Sequence, residues 1–278
     1  TIRDKLLCGV RRERFVRPDS VFVTLGSCFA VNLARALQAA GREAHYEMIS
    51  EEVNSPLANR CLVDWLSSGP TTPQTQAMEE ALGGQVRERM LGLLGKADVV
   101  VLTVGVAPIW ISRETGEMVL APDKRRMGEF EMRTSSVADN RKNIKQIARL
   151  IRAEAPNAEI FLTLSPAPLN YSFEMPSTVV ADCLSKSTLR VAIHEAMHNL
   201  DGNVQYWPSF EVVRWIGSHL PPVFGDDDGH PRHVSDWIVD HITRAFIRVH
   251  GGQTDRLGSN STEALENDLV VRSVNAAP

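Results

Sequence analysis

The chain has 278 residues, 43% of them hydrophobic and 23% charged, and Lys+Arg 30 against Asp+Glu 34 leaves a formal net charge of -4. That balance excludes wholesale disorder. It also lacks the basic face that nucleic-acid binding requires, because the densest cationic group, Arg11, Arg12, Arg14 and Arg17, is short, interrupted by Glu13, and reads as a solvated arm. No apolar run approaches the ~18 residues that span a bilayer, and Thr1-Ile2-Arg3-Asp4-Lys5 adjoins no apolar segment of secretory type. A cytoplasmic protein with no membrane span and no nucleic-acid partner is therefore expected, with no feature that sets an oligomeric state. Cys8, Cys28, Cys61 and Cys183 lie far apart and read as separate thiols.

In chain order, residues 1–19 form the arm. Val21-Phe22-Val23-Thr24-Leu25 is a short apolar run stopped by Gly26, and Leu33, Ala36, Leu37 and Ala40 then recur at helical spacing. This is strand, tight turn, helix. Helical stretches are expected at 57–66, at 75–94 with a Gly83-Gly84 break, at 140–153 and at 180–200. The apolar runs at 98–104 and 158–164 read as central parallel strands, each followed by Gly or Pro. Residues 112–136 look irregular and are expected to be an insertion over one sheet edge. A last helix is signalled by Pro231 in its first turn, followed by Val234, Trp237, Ile238, Ile242 and Phe246. Residues 20–250 thus form one α/β domain, and the polar stretch 251–278 reads as a tail or linker.

Gly26-Ser27-Cys28-Phe29-Ala30 places a hydroxyl and a thiol where a strand ends and a helix begins, on the sheet edge at which open α/β folds bind ligands. The positive end of that helix favours a thiolate and a developing oxyanion. The same segment also reads as an ordinary turn in which Ser27 caps a helix and Cys28 is buried.

The run GSCFA resembles the motif that names the GSCFA family, whose fold is related to the SGNH/GDSL hydrolases. Further similar stretches follow in the family's order: Val53-Asn54-Ser55-Pro56, Leu102-Thr103-Val104-Gly105, the run from Thr163 through Ser165 to Leu169, Leu184-Ser185-Lys186, Tyr206 to Glu211, and Asp227-Asp228-Gly229-His230-Pro231. The resemblance implies a three-layer α/β/α domain with a flavodoxin-like, mostly parallel sheet of SGNH-hydrolase type, and acyl-transfer chemistry. By register Cys28 matches the serine of Gly-Asp-Ser, and Ser27 is the alternative nucleophile. The Asp-x-x-His block implies His230 as the base, standing at a helix N-terminus, with Asp227 orienting its ring. The backbone N–H groups of Cys28 and Gly105 and the Asn54 side chain are the oxyanion donors expected. Ala107 stands where GDSL enzymes carry the asparagine of Gly-x-Asn. Ser165 is expected to shape the pocket and Lys186 to reach an anionic ligand.

One motif competes. His194-Glu195-Ala196-Met197-His198 matches the H-E-x-x-H pattern of zinc proteases. On a wheel stepping about 100° per residue, however, both histidines point away from the apolar stripe through Leu189, and no third ligand follows at a suitable spacing. The function expected is an esterase or acyltransferase acting on an O-acyl group of a carbohydrate or small metabolite. It would require no cofactor, and acyl-CoA would enter only as the donor of a transferase. A zinc hydrolase and a non-catalytic ligand-binding module of the same fold are the alternatives.

Overall fold

The computed structural model describes residues 10, 13–48, 54–120, 122–200 and 203–252. Its centre is a five-stranded parallel sheet in the order β2-β1-β3-β7-β8. The strands are β1 (Val21–Gly26), β2 (Glu43–Met48), β3 (Val99–Val104), β7 (Glu159–Leu164) and β8 (Val204–Tyr206). A separate antiparallel sheet, β5-β4-β6, is built from β4 (Pro108–Ser112), β5 (Met118–Val119) and β6 (Phe130–Thr134).

The three middle strands are almost wholly apolar because helices cover both of their faces. Side chains alternate across a strand, so Val23, Leu25, Val100, Leu102, Ile160 and Leu162 meet one helix layer while Phe22, Val99, Val101 and Phe161 meet the other. The first layer holds α2 (Pro56–Ser68), α3 (Pro73–Leu82), α4 (Gly84–Leu94), α5 (Val137–Glu154) and α6 (Thr178–Met197). The second holds α1 (Cys28–Ala39) and α7 (Asp236–His250). The α/β/α layering expected from the alternating pattern is present. Counting only the strands of the large sheet, their order is 2-1-3-4-5, the flavodoxin-like arrangement.

Local chemistry explains where several helices begin. Ser55 accepts the Ala58 N–H, and Pro56 supplies a preset φ at the first helical position of α2. Thr72 and Thr75 form a reciprocal capping box that opens α3, and Gly83, at φ 83°, separates α3 from α4. The break expected at Gly83-Gly84 lies there.

Two expectations need correction. Pro231 does not open the last helix, because residues before Ser235 are held in a folded loop. Phe224 bridges Val234, Ser235 N–H donates to the Val223 carbonyl at 2.9 Å, and α7 starts only at Asp236. Within 112–136, Met118–Val119 and Phe130–Thr134 form strands, and β4 pairs with β6 through Trp110↔Met132. Part of the arm also packs inward. Val16 N–H donates to the His250 carbonyl at 2.9 Å, and Phe15 stacks on Phe161 at 5.9 Å. Residues 253–278, read as a tail, lie outside the described residues, as do Arg11, Arg12, Cys8 and Val53.

His250 closes this second layer. It is 0% exposed, its ring sits among Phe15, Phe161, Trp207 and Phe246, and its Nδ1 lies 3.2 Å from the Glu13 carbonyl. Burial pulls its pKa down from 6.5 to about 4, with the Glu13 carbonyl opposing the shift. An unfolded chain therefore binds a proton here at a higher pH than the folded one does. The neutral ring's contribution is complete above the unfolded value and is lost as pH falls towards the folded one. Between pH 7 and 5 this site is expected to cost about 2 kcal/mol of stability. Urea unfolding at both pH values checks this, with His250→Gln expected to show a shallower acid-side loss than the parent.

Candidate active site

The connection after β1 runs over one face of the sheet and that after β2 over the other, so a crevice opens at the carboxyl ends of β1 and β3. Gly26 sits in it at φ 112°, and a Cβ there would lie 2.1 Å from the Thr103 carbonyl oxygen. Only glycine lets β1 end this close to β3. The chain turns at Ser27, and Cys28 is the first residue of α1.

A second interlock comes from Gly105, after β3. Its N–H and that of Val106 both donate to the Asn54 carbonyl at 3.1 Å, and a Cβ on Gly105 would meet Asn54 Cβ at 2.7 Å. The turn is fixed from below by Lys186, whose Nζ donates to the Gly105 carbonyl at 2.7 Å. Ser185, beside it on α6, accepts the Ala107 N–H at 2.9 Å. The alanine at 107 is thus part of a buried backbone clamp, and α6 holds the end of β3 by two hydrogen bonds.

These residues surround a cavity of about 320 Å³. Ser27, Cys28, Asn54, Gly105, Ser165 and Lys186 all line it, so six of the eight residues singled out in the sequence come together. His230 and Asp227 do not line it, although Arg232 does. The Asp227 carboxylate accepts the Asp236 N–H at 2.6 Å and so caps α7. Asp228 receives the His230 backbone N–H at 2.8 Å, and its other oxygen pairs with His233 Nδ1 at 2.5 Å. The His230 ring stacks on His233, and its Nδ1 accepts the Arg232 N–H at 3.4 Å. His230 also stands six residues before α7 and not in its first turn.

Gly105 has its N–H committed to Asn54, which leaves the first turn of α1 and the Asn54 side chain as the donor groups at this end of the cavity. Ser27 makes no capping bond with its side chain. Its hydroxyl oxygen and Asn54 Oδ1 are both buried without a hydrogen-bond partner, and each residue is only 4% exposed. Buried polar atoms of this kind usually find partners.

Lys186 dominates the electrostatics. It is 3% exposed, and burial is the largest influence on its ammonium, lowering the pKa from 10.5 to about 8. Asp182 and Cys28 push the other way, while Arg214 adds to the lowering. Asp182 is itself engaged, accepting the Leu169 N–H at 3.0 Å and pairing with Arg214. Cys28 thus stands at the start of α1 and shares the cavity with the buried Lys186 ammonium.

Sequence reasoning missed the far wall. Pro108 and Trp110 alternate on β4, and Met132 lies opposite Trp110 on β6, so a two-residue period puts all three on the cavity side. Tyr171 and Arg232 also line the cavity, Arg232 directly after the Asp227–Pro231 block. The zinc-like pair is elsewhere: His194 and His198 are exposed on α6, with rings 4.5 Å apart, and Glu195 accepts from Arg141. Among the described residues no three His, Cys, Asp or Glu side chains are grouped to hold a metal ion.

The fold and site define an α/β protein with a thiol-bearing pocket at the switch point of a flavodoxin-like sheet. Residues 66–246 match the model of the GSCFA family, and the chain belongs to that family. The match includes Gly105, Ser165, Lys186 and His230 and begins after the Gly26 turn. No curated protein matches the chain. Solved structures similar to it include a carbohydrate esterase family 2 enzyme with a carbohydrate-binding domain from Corynascus thermopiles (Myceliophthora fergusii), at 15% identity and TM-score 0.45, over 84% of this chain and 67% of that one. A protein named as a GDSL-like lipase from Parabacteroides merdae has 11% identity and TM-score 0.49, over 85% and 99%. An acetyl xylan esterase from the rumen bacterium Butyrivibrio proteoclasticus has 13% identity and TM-score 0.44, over 84% and 63%.

The thiols should separate by reactivity. Cys61 is buried, and burial raises its thiol pKa to about 11, whereas Cys28 is half-buried at the cavity and Cys183 is exposed. Iodoacetamide at neutral pH is expected to label Cys28 and Cys183 and to spare Cys61 in the folded protein, as read by peptide mass spectrometry. Labelling of Cys61 as fast as Cys28 would contradict this placement.

Proposed function

We propose that the protein is an acyl-ester hydrolase or acyltransferase in which Cys28 carries the acyl group. The observation that supports this reading best is the position of Cys28: first residue of α1, at the sheet's switch point, in a cavity that also holds a buried ammonium. A thiolate there attacks the acyl carbonyl, forming a C–S bond while the carbonyl oxygen takes the negative charge. The first-turn N–H groups of α1 and the Asn54 amide are the donors for that oxyanion. Collapse of the tetrahedral intermediate expels the alcohol or thiol, which needs a proton. His230, two residues before the cavity-lining Arg232, is the group proposed to take the proton from the Cys28 thiol, hand it to that leaving group and later activate the water or alcohol that releases the acyl group. Asp227 enters this scheme only if the loop from 225 to 235 rearranges, because its carboxylate now caps α7.

The substrate class proposed is an O-acyl carbohydrate or small metabolite. A cavity of about 320 Å³ suits a compact molecule, and Trp110 and Tyr171 provide flat faces for a sugar ring or an acyl chain. A second reading, binding without chemistry, is favoured by the position of His230 outside the cavity lining.

Turnover of short-chain acyl esters and thioesters by the parent and by Cys28→Ala, Ser27→Ala and His230→Ala separates the two readings. Cys28→Ala is expected to lose at least about a hundredfold in kcat/KM, His230→Ala about ten- to a hundredfold, and Ser27→Ala a few-fold. Full activity in Cys28→Ala refutes the thiol mechanism, and no turnover by the parent favours the binding module.

A further inference from the structure

We propose that the molecule bound at this site is an anion, an acyl compound that also carries a carboxylate or phosphate group held by Lys186 and Arg232. The acyl part of this statement rests on the function proposed above; the anionic part does not.

The charge of the cavity lining carries the inference. It contains two cationic residues, Lys186 and Arg232, and no Asp or Glu, in a chain whose formal net charge is -4. The carboxylate nearest to this wall in sequence, Asp182, lies one helical turn before Lys186 and is bonded to Arg214 and the Leu169 N–H. Lys186 itself reaches a neutral carbonyl, that of Gly105. Keeping an ammonium buried on such terms is costly unless an opposite charge comes close. Its depressed pKa is the sign of that cost. A bound anion would add to the opposite charge that Asp182 and Cys28 bring near the ammonium, and the cation would in turn select for it.

Polar atoms in the same cavity suit such a ligand. The buried Ser27 hydroxyl, without a partner, can donate to an anionic oxygen, and the start of α1 adds its positive end. Asn54 Oδ1, also buried without a partner, accepts, so the ligand is expected to bring a hydroxyl or N–H donor as well. Opposite them, Pro108, Trp110 and Met132 form an apolar wall for the remaining carbon skeleton.

Two matched pairs test this by binding alone. Monomethyl succinate and dimethyl succinate share an ester and differ by one carboxylate; 2-acetoxyethyl phosphate and 2-acetoxyethanol differ by one phosphate. Calorimetric titration into the full chain carrying Cys28→Ala, which prevents thiol turnover, is expected to show at least one charged member binding about tenfold or more tightly than its neutral partner. The pair that discriminates identifies carboxylate or phosphate. Arg232→Gln and Lys186→Met are each expected to remove most of that difference. Should Lys186→Met fail to fold, Arg232→Gln decides. Equal affinity within both pairs overturns the proposal while leaving ester hydrolysis standing. Anion preference in a protein that turns over no ester does the reverse.

Discussion

The site depends on how closely β1 can approach β3. Their parallel pairing ends at Gly26 opposite Thr103, where even a methyl group would collide with the Thr103 carbonyl. Because that contact closes, the chain leaves the sheet sharply enough for Ser27 and Cys28 to start α1 beside the end of β3. Lys186 and Ser185 then hold the turn after β3 from the helix layer on the other face. Cys28 and the turn facing it are therefore fixed by backbone contacts and two side-chain bonds, so the cavity they line is largely preformed.

This rigidity is bought with an uncomfortable charge. An apolar side chain at 186 would pack without desolvation cost, yet the chain keeps an ammonium there, deep beside a thiol and two unpartnered polar atoms. Groups that strain the rules of burial tend to cluster where a protein acts on something. Here they cluster on one wall, and the opposite wall is apolar. The division suits the anionic acyl compound proposed above, with its polar head on one wall and its carbon skeleton on the other.

Much of the scaffold was legible in the sequence because the middle strands are buried on both faces and therefore read as continuous apolar runs. The central helices announced themselves through periodicity and through breakers such as Gly83. β2, Glu43–Met48, gave no such signal, since an edge strand of mixed polarity lacks the double burial that marks β1, β3 and β7. The small antiparallel sheet was hidden for a related reason: its strands are short and half-exposed, and Trp110 and Met132 face the cavity only once their pairing is known. Lys186 was visible as a residue, but its burial was not, because burial depends on how α6 packs against the end of β3. The Asp227–His230 spacing suggested an orienting pair, whereas the loop folds so that Asp227 caps α7 and Asp228 reaches His233. Spacing along a chain does not decide which of several neighbouring carboxylates turns towards a ring.

The central claim is that the sulfur of Cys28 accepts an acyl group. Trapping the covalent intermediate tests it most directly: brief incubation with an activated acetyl ester, acid quenching, and peptide mapping by mass spectrometry. The account predicts one acetyl group on the peptide bearing Cys28, removed by hydroxylamine as a thioester should be. Acetyl found only on Ser27 or on lysines, or none at all while the ester is consumed, would contradict it.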